Sequence, residues 1–301
     1  MGINTQSLFV ASGGIASHQP LTGTLFRVDL TSGRVVAQAA TVGLPFAAAA
    51  SRTKVWVGGI ASPGARTTGA NQIVQVDSRT LKVEKTFRVL TPLGIARDRD
   101  ETFFLSGGPD GADAIVMGVT PSGLKRLTKL AVMLTMQGSP IVYCADHLYV
   151  AAQLDMKHDT VFDLTNSGHE RRMWRLSQTG YAYLACDLSR VFATTTSGEV
   201  FELGAASRPE VIGRSASPTS GLVVASGRVW TMGYLGWNHK TSTGKFRLIG
   251  YKITESGARE PPLAYTLTSR YGPPAILVGT GNELVVGVGT DFTALVVREH
   301  K

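Results

Sequence analysis

A four-residue unit that returns seven times constrains this chain more than any other feature. Its copies are Ser7-Leu8-Phe9-Val10, Lys54-Val55-Trp56-Val57, Thr102-Phe103-Phe104-Leu105, His147-Leu148-Tyr149-Val150, Arg190-Val191-Phe192-Ala193, Arg228-Val229-Trp230-Thr231 and Glu283-Leu284-Val285-Val286. Each runs polar, aliphatic or aromatic, bulky, then apolar or small, and the third residue is aromatic in every copy but the last. Such runs suit strands buried on both faces of a sheet, where β-branched and aromatic side chains pack well. Successive copies begin 38 to 55 residues apart, the period of a propeller blade or a solenoid repeat.

The segments around the unit choose between those two. Ahead of it comes an opening strand such as Phe46 to Ala50, turned back by Ser51-Arg52-Thr53. After it come a Gly-rich loop, a third strand ending in Val-Asp, a short turn and an outer strand. Gly13-Gly14-Ile15-Ala16-Ser17 is echoed by Gly58-Gly59-Ile60-Ala61-Ser62, and Val28-Asp29 by Val76-Asp77. Four strands per repeat joined by tight antiparallel turns is a blade rather than a βα solenoid, and no segment sustains a helical period. The expectation is an all-β, seven-bladed β-propeller of four-stranded antiparallel blades, with 1–301 as a single domain. About 26 of the 28 strands of seven full blades are visible. The first repeat lacks an obvious opening strand and the last ends after its third, which leaves the ring closure open; Met1 to Gln6 is the segment available to pair at the seam.

Cys144 and Cys186 are too few for a disulfide framework or a zinc site. Both lie on opening strands, one residue out of phase with each other, which points them to opposite faces; buried free thiols are the expectation. No apolar run is long enough to span a bilayer, and no basic segment precedes an apolar one as in a signal peptide. Gln6 stands where a myristoylation start wants Ser or Thr. These features suit a cytoplasmic chain and an exported, virion-borne or trimmed one alike.

The blocks Val28-Asp29-Leu30-Thr31-Ser32-Gly33-Arg34-Val35 and Val76-Asp77-Ser78-Arg79-Thr80-Leu81-Lys82-Val83 resemble the strand–turn–strand of YVTN-type seven-bladed propellers. The name-giving tetrapeptide does not occur, and the likeness is motif-like only in repeats one and two. It implies the fold and leaves function to the site. The streptogramin lyases are seven-bladed propellers of matching length, but their repeats resemble Leu-Trp-Phe-Thr-Glu, and no copy here carries that Glu.

Function must come from polar groups on this frame. Acid–base or metal-assisted work in the central channel needs ionisable groups on the opening strands, whereas these read Phe46-Ala47-Ala48-Ala49-Ala50 or Ala275-Ile276-Leu277-Val278. Thr241-Ser242-Thr243-Gly244-Lys245 lacks the Gly spacing and the hydroxyl of a phosphate loop. Asp98-Arg99-Asp100-Glu101 reads as a hairpin turn rather than a calcium loop, and Asp155, His158 and Asp159 as a solvated loop rather than a metal site. No cofactor and no metal is therefore expected. The net charge of +8 sits on outer strands (Lys82, Lys85, Lys125, Arg126, Lys129, Arg171, Arg172, Arg175), where it discourages edge pairing and argues against nucleic acid.

The distinctive segment is Gly233 to Phe246, read as a long loop between the second and third strands of repeat six. It carries Tyr234, Trp237, His239 and Lys240, the residue types that build hot spots and sugar-stacking sites. Loops Gly13 to Gly23 and Gly58 to Ala70 are expected on the same face, bringing His18 and Arg66. The reading is a non-catalytic scaffold that presents loops to a protein, a glycan or a larger assembly, such as a cell-surface or virion complex. The alternative is a small-molecule lyase or hydrolase working on the loop face.

Overall fold

The computed structural model describes residues 2–4, 6–13, 22–42, 44–60, 71–98, 101–108, 113–132, 140–155, 158–176, 182–187, 189–204, 208–216, 218–253, 261–269, 275–280, 283–288 and 295–297. Within them the chain is all-β, built as the four-stranded antiparallel blades of a β-propeller. It divides into two compact units. One comprises Met1–Met136, Pro140–Leu148 and Leu164–Glu170; the other comprises Gln137–Ser139, Tyr149–Asp163 and Arg171–Lys301.

The first unit holds three consecutive sheets, each a simple meander. They are β1 (Gly2–Ile3), β2 (Ser7–Gly13), β3 (Thr22–Asp29) and β4 (Val35–Val42); β5 (Leu44–Ala50), β6 (Lys54–Ile60), β7 (Gln72–Asp77) and β8 (Val83–Arg88); and β9 (Thr91–Asp98), β10 (Glu101–Gly107), β11 (Ala114–Thr120) and β12 (Gly123–Leu130). A fourth sheet, β13 (Ile141–Cys144), β14 (His147–Asp155), β15 (His158–Thr165) and β16 (Glu170–Arg175), draws residues from both units. The second unit continues with β17 (Tyr183–Asp187), β18 (Arg190–Thr194), β19 (Glu199–Leu203) and β20 (Glu210–Arg214); then β21 (Thr219–Ala225), β22 (Arg228–Asn238), β23 (Thr243–Lys252) and β24 (Leu263–Ser269); and finally β25 (Ala275–Thr280), β26 (Glu283–Val288) and β27 (Leu295–Val297). Among the described residues six blades are complete, and the last sheet has three strands. That corrects the expectation of seven four-stranded blades. The first sheet does have its opening strand, because β1 pairs with β2 through Gly2↔Phe9 and Ile3↔Leu8.

The recurring unit forms the second strand of each sheet, and its alternation explains the core. In the first unit Phe9 packs with Val55, Val57, Val74 and Val76 of the following sheet. Trp56, which points the other way from Val55 and Val57, packs with Ile73, Val89 and Phe104. In the second unit Phe192 packs with Leu222 and Val229, and Trp230 with Leu284 and Val286. Phe9, Trp56, Phe192 and Trp230 thus meet the next sheet, whereas in the third sheet the phase is reversed: Phe104 packs back on Trp56 and Phe87, and Phe103 stacks on Tyr143 of the next sheet. A strand buried on both faces has no polar side, so its sequence reads as a continuous apolar run. Tyr149, the fourth copy, is half-buried and tilts against Trp174 with ring centroids 6.1 Å apart.

The two quoted strand–turn–strand blocks fold into one device. Asp29 N–H donates to Arg34 O (2.9 Å), Gly33 N–H donates to Asp29 O (2.8 Å), and the Asp29 carboxylate accepts Ser32 N–H and Ser32 Oγ–H at 2.7 Å each. Repeat two copies it, with Asp77 N–H to Lys82 O at 3.0 Å, Leu81 N–H to Asp77 O at 2.9 Å, and Thr80 N–H and Oγ1–H to the Asp77 carboxylate at 2.8 Å each. The hydrogen bonds to Ser32 and to Thr80 hold the two carboxyls below their ordinary range. Both turns close through a left-handed residue, Gly33 at φ 66° and Leu81 at φ 57°.

The cysteines correct another expectation: neither is free, and Cys144 and Cys186 are both disulfide-bonded. Cys186 stands opposite Val191 across the β17–β18 pair.

Candidate functional site

The segment Gly233 to Phe246 is not a loop. β22 and β23 run through it as a twisted hairpin, pairing Gly233↔Arg247, Tyr234↔Phe246, Gly236↔Lys245, Trp237↔Gly244 and Asn238↔Thr243. Only four residues, 239–242, connect the strands. The register shifts between Tyr234 and Gly236, with Gly236 at φ 138°, so Leu235 is the extra residue of a β-bulge and stands 49 % exposed. That bulge breaks the period-2 pattern that marks a strand in sequence, while Thr-Ser-Thr-Gly imitates a longer turn. The missed signal was on the partner strand, where Gly244, Phe246 and Leu248 alternate with Thr243, Lys245 and Arg247.

The inner side of the hairpin is anchored. Phe246 is fully buried, and Tyr234 packs on it with ring centroids 5.3 Å apart and an interplanar angle of 53°. Trp237 is half-buried, its ring against Gly244: a Cβ added there would lie 3.4 Å from Trp237 Cε3. The tip is open. His239, Lys240, Thr241 and Ser242 are all exposed. It is shaped by Lys240 N–H donating to Asn238 Oδ1 (3.0 Å), a 2.7 Å hydrogen bond between the hydroxyls of Thr241 and Thr243, and Ser242 at φ 49°.

Residues 228–252 contain Arg228, Lys240, Lys245, Arg247 and Lys252 and no Asp or Glu. Lys240, Lys245 and Arg247 are exposed on the hairpin, which carries no acidic residue of its own. Tyr234, Trp237, His239 and Lys240 therefore lie on one hairpin. His18 and Arg66 lie outside the described residues, as do most of the loops that carry them.

The other sequence features resolve as structure. Thr241 to Lys245 is the hairpin tip and the start of β23, with no helix behind it. Glu101 opens β10, and its Oε2 accepts the Tyr143 hydroxyl at 2.8 Å. His158 and Asp159 stand in β15 rather than in a loop. Among the described residues no group of three or more His, Cys, Asp or Glu side chains converges as a metal site requires. Lys82, Lys85, Lys125, Arg126, Lys129, Arg171, Arg172 and Arg175 are exposed on or beside outer strands. The lower end of the first two sheets carries a separate feature: an open cleft of about 760 Å³ bounded by the two Asp-cornered turns and the Ser51-Arg52-Thr53 hairpin.

Comparison with known proteins bears on the fold. No protein-family model matches the chain, and no curated protein matches it in sequence. Solved structures do match in shape. A chain of hydrazine synthase from Kuenenia stuttgartiensis is 16 % identical, with a TM-score of 0.58 over 81 % of this chain and 73 % of that one. A chain of a mitotic checkpoint complex is 11 % identical, at 0.58 over 96 % and 87 %. A protein of unknown function from Desulfotomaculum acetoxidans is 9 % identical, at 0.58 over 95 % and 94 %. At these identities the likeness is one of fold.

Proposed function

We propose that the chain is a non-catalytic binding module, a single β-propeller domain that uses the β22–β23 hairpin to engage an acidic protein surface. The observation that carries this reading is the hairpin itself. Its strands, at 11 and 10 residues, outreach the 4 to 9 residues of the strands in the fourth sheet. It ends in an exposed tip and holds cations without a single carboxylate. A folded domain gains nothing from an exposed Leu235 beside Trp237, Lys240 and Lys245, whereas an interface built on an aromatic anchor with a cationic rim uses all four. A rigid strand pair also presents them at less entropic cost than a loop. That a chain of a mitotic checkpoint complex shares the fold is in keeping with an assembly role and does not identify the partner.

The test separates anchor from charge. Lys240→Glu with Lys245→Glu touches only exposed side chains, so the thermal midpoint should hold while capture of the partner from the source lysate falls at least about tenfold. Trp237→Ala should lower capture as well, with a stability loss of about 1 kcal/mol because its ring covers Gly244. If the charge-reversed protein and the wild type retain the same proteins in equal amounts, the hairpin is not the binding element.

A further inference from the structure

The cleft between the first two sheets belongs to the first unit, whereas the hairpin belongs to the second, and the cleft's chemistry points to a different kind of ligand. Its walls come from matching places in two repeats: Asp29 and Thr31 from one β3–β4 turn, Asp77 and Arg79 from the next, and Arg52 from the β5–β6 turn. At about 760 Å³ it falls in the size range of small-molecule sites. Such sites are usually mostly apolar; here Val36 is the one aliphatic side chain in the lining. A ligand for this cleft must therefore satisfy hydrogen bonds almost everywhere it touches.

The groups on offer have a definite sign and direction. The turn donors all converge on one oxygen, Oδ1, of each aspartate, which leaves Oδ2 as an acceptor for a ligand hydroxyl. Both carboxyls titrate below their ordinary range, so they remain acceptors at neutral pH. Arg52 and Arg79 are exposed, and their contribution to the fold is through the backbone: Arg52 O accepts the Ser78 hydroxyl at 2.8 Å, and Arg79 O accepts Arg27 Nη1–H at 2.5 Å. Their guanidinium groups are left as bidentate donors for a carboxylate. Arg27 also reaches Ser78 O at 3.3 Å, which ties the two repeats together and fixes the wall. Three guanidiniums against two carboxylates leave one positive charge for the ligand to balance.

We infer that this cleft binds an acidic saccharide, a hydroxyl-rich sugar bearing a single carboxylate, with Arg52 and Arg79 on the carboxylate and Asp29 and Asp77 on the ring hydroxyls. Neutral sugars lack the charge that the arginines need, and simple carboxylates lack the hydroxyls that the aspartates need.

Titration calorimetry or saturation-transfer NMR on the full chain tests this with D-glucuronate as the probe and D-glucose, acetate and inorganic phosphate as comparisons. Glucuronate should bind with a Kd of about 1 mM or tighter, and each comparison solute at least about tenfold more weakly. Arg52→Gln with Arg79→Gln should weaken glucuronate at least about tenfold at an unchanged thermal midpoint, since both side chains are exposed. No glucuronate binding up to about 20 mM would overturn the inference. So would equal binding of acetate or phosphate, equal binding of glucose, or full binding by the double variant. None of these results touches the hairpin, whose own variants are read separately.

Discussion

Leu81 holds a backbone conformation that glycine takes without cost. At φ 57° it stands where the first repeat has Gly33 at 66°, and a non-glycine residue there is strained by its Cβ. The compensation is packing, because the side chain is 2 % exposed within the cluster of Phe9, Val55, Val57 and Val74. Two substitutions separate these effects. Leu81→Ala keeps the Cβ and empties the core, and should cost about 2–4 kcal/mol in urea unfolding. Leu81→Gly empties it further but relieves the backbone, and should be no less stable than Leu81→Ala. A loss below about 1 kcal/mol for the alanine variant would show that Leu81 is not a core residue.

At the level of the element, the Asp-cornered turn predicts a response to acid. Asp29 and Asp77 are held below the ordinary carboxyl value of 3.8 by hydrogen bonds to Ser32 and Thr80. A carboxyl depressed in the folded state stabilises fully above its unfolded value and loses that contribution as pH falls through its lower folded value. Asp29→Ala with Asp77→Ala should therefore lie below the wild type in stability near neutrality, and the gap should close below about pH 3. A gap of constant size down to acid unfolding would assign the effect to lost packing. This turn was legible in the chain, because Asp followed by Ser or Thr three residues on is a local device whose partners are adjacent. So were the buried second strands, since Phe9, Trp56, Phe104, Phe192 and Trp230 sit in unbroken apolar runs. What could not be read was non-local. The bulge at Leu235 hides six strand residues from a period-2 reading, the cleft exists only because two repeats lie side by side, and the disulfide state of Cys144 and Cys186 is not set by their places along the chain.

For the whole molecule, the arrangement of cores bears on cooperativity. Every aromatic second-strand residue in the described clusters is buried by a neighbouring sheet as well as by its own, and the division into two compact units runs through β14, β15 and β16 of the fourth sheet. A single domain is expected to unfold in one calorimetric transition with equal calorimetric and van't Hoff enthalpies. Two resolved transitions would show that the two units unfold separately. The chain's net charge of +8 acts at the same scale, and it lends the acid-free hairpin a property that no single contact has. If the hairpin binds as proposed, a cationic tip on a cationic body would draw an acidic partner in from beyond contact distance, and the signature would be kinetic. Added salt should slow arrival steeply while departure, governed by Trp237 and Leu235, changes little. The hairpin would then set how fast the partner is found, and its apolar side how long the partner stays.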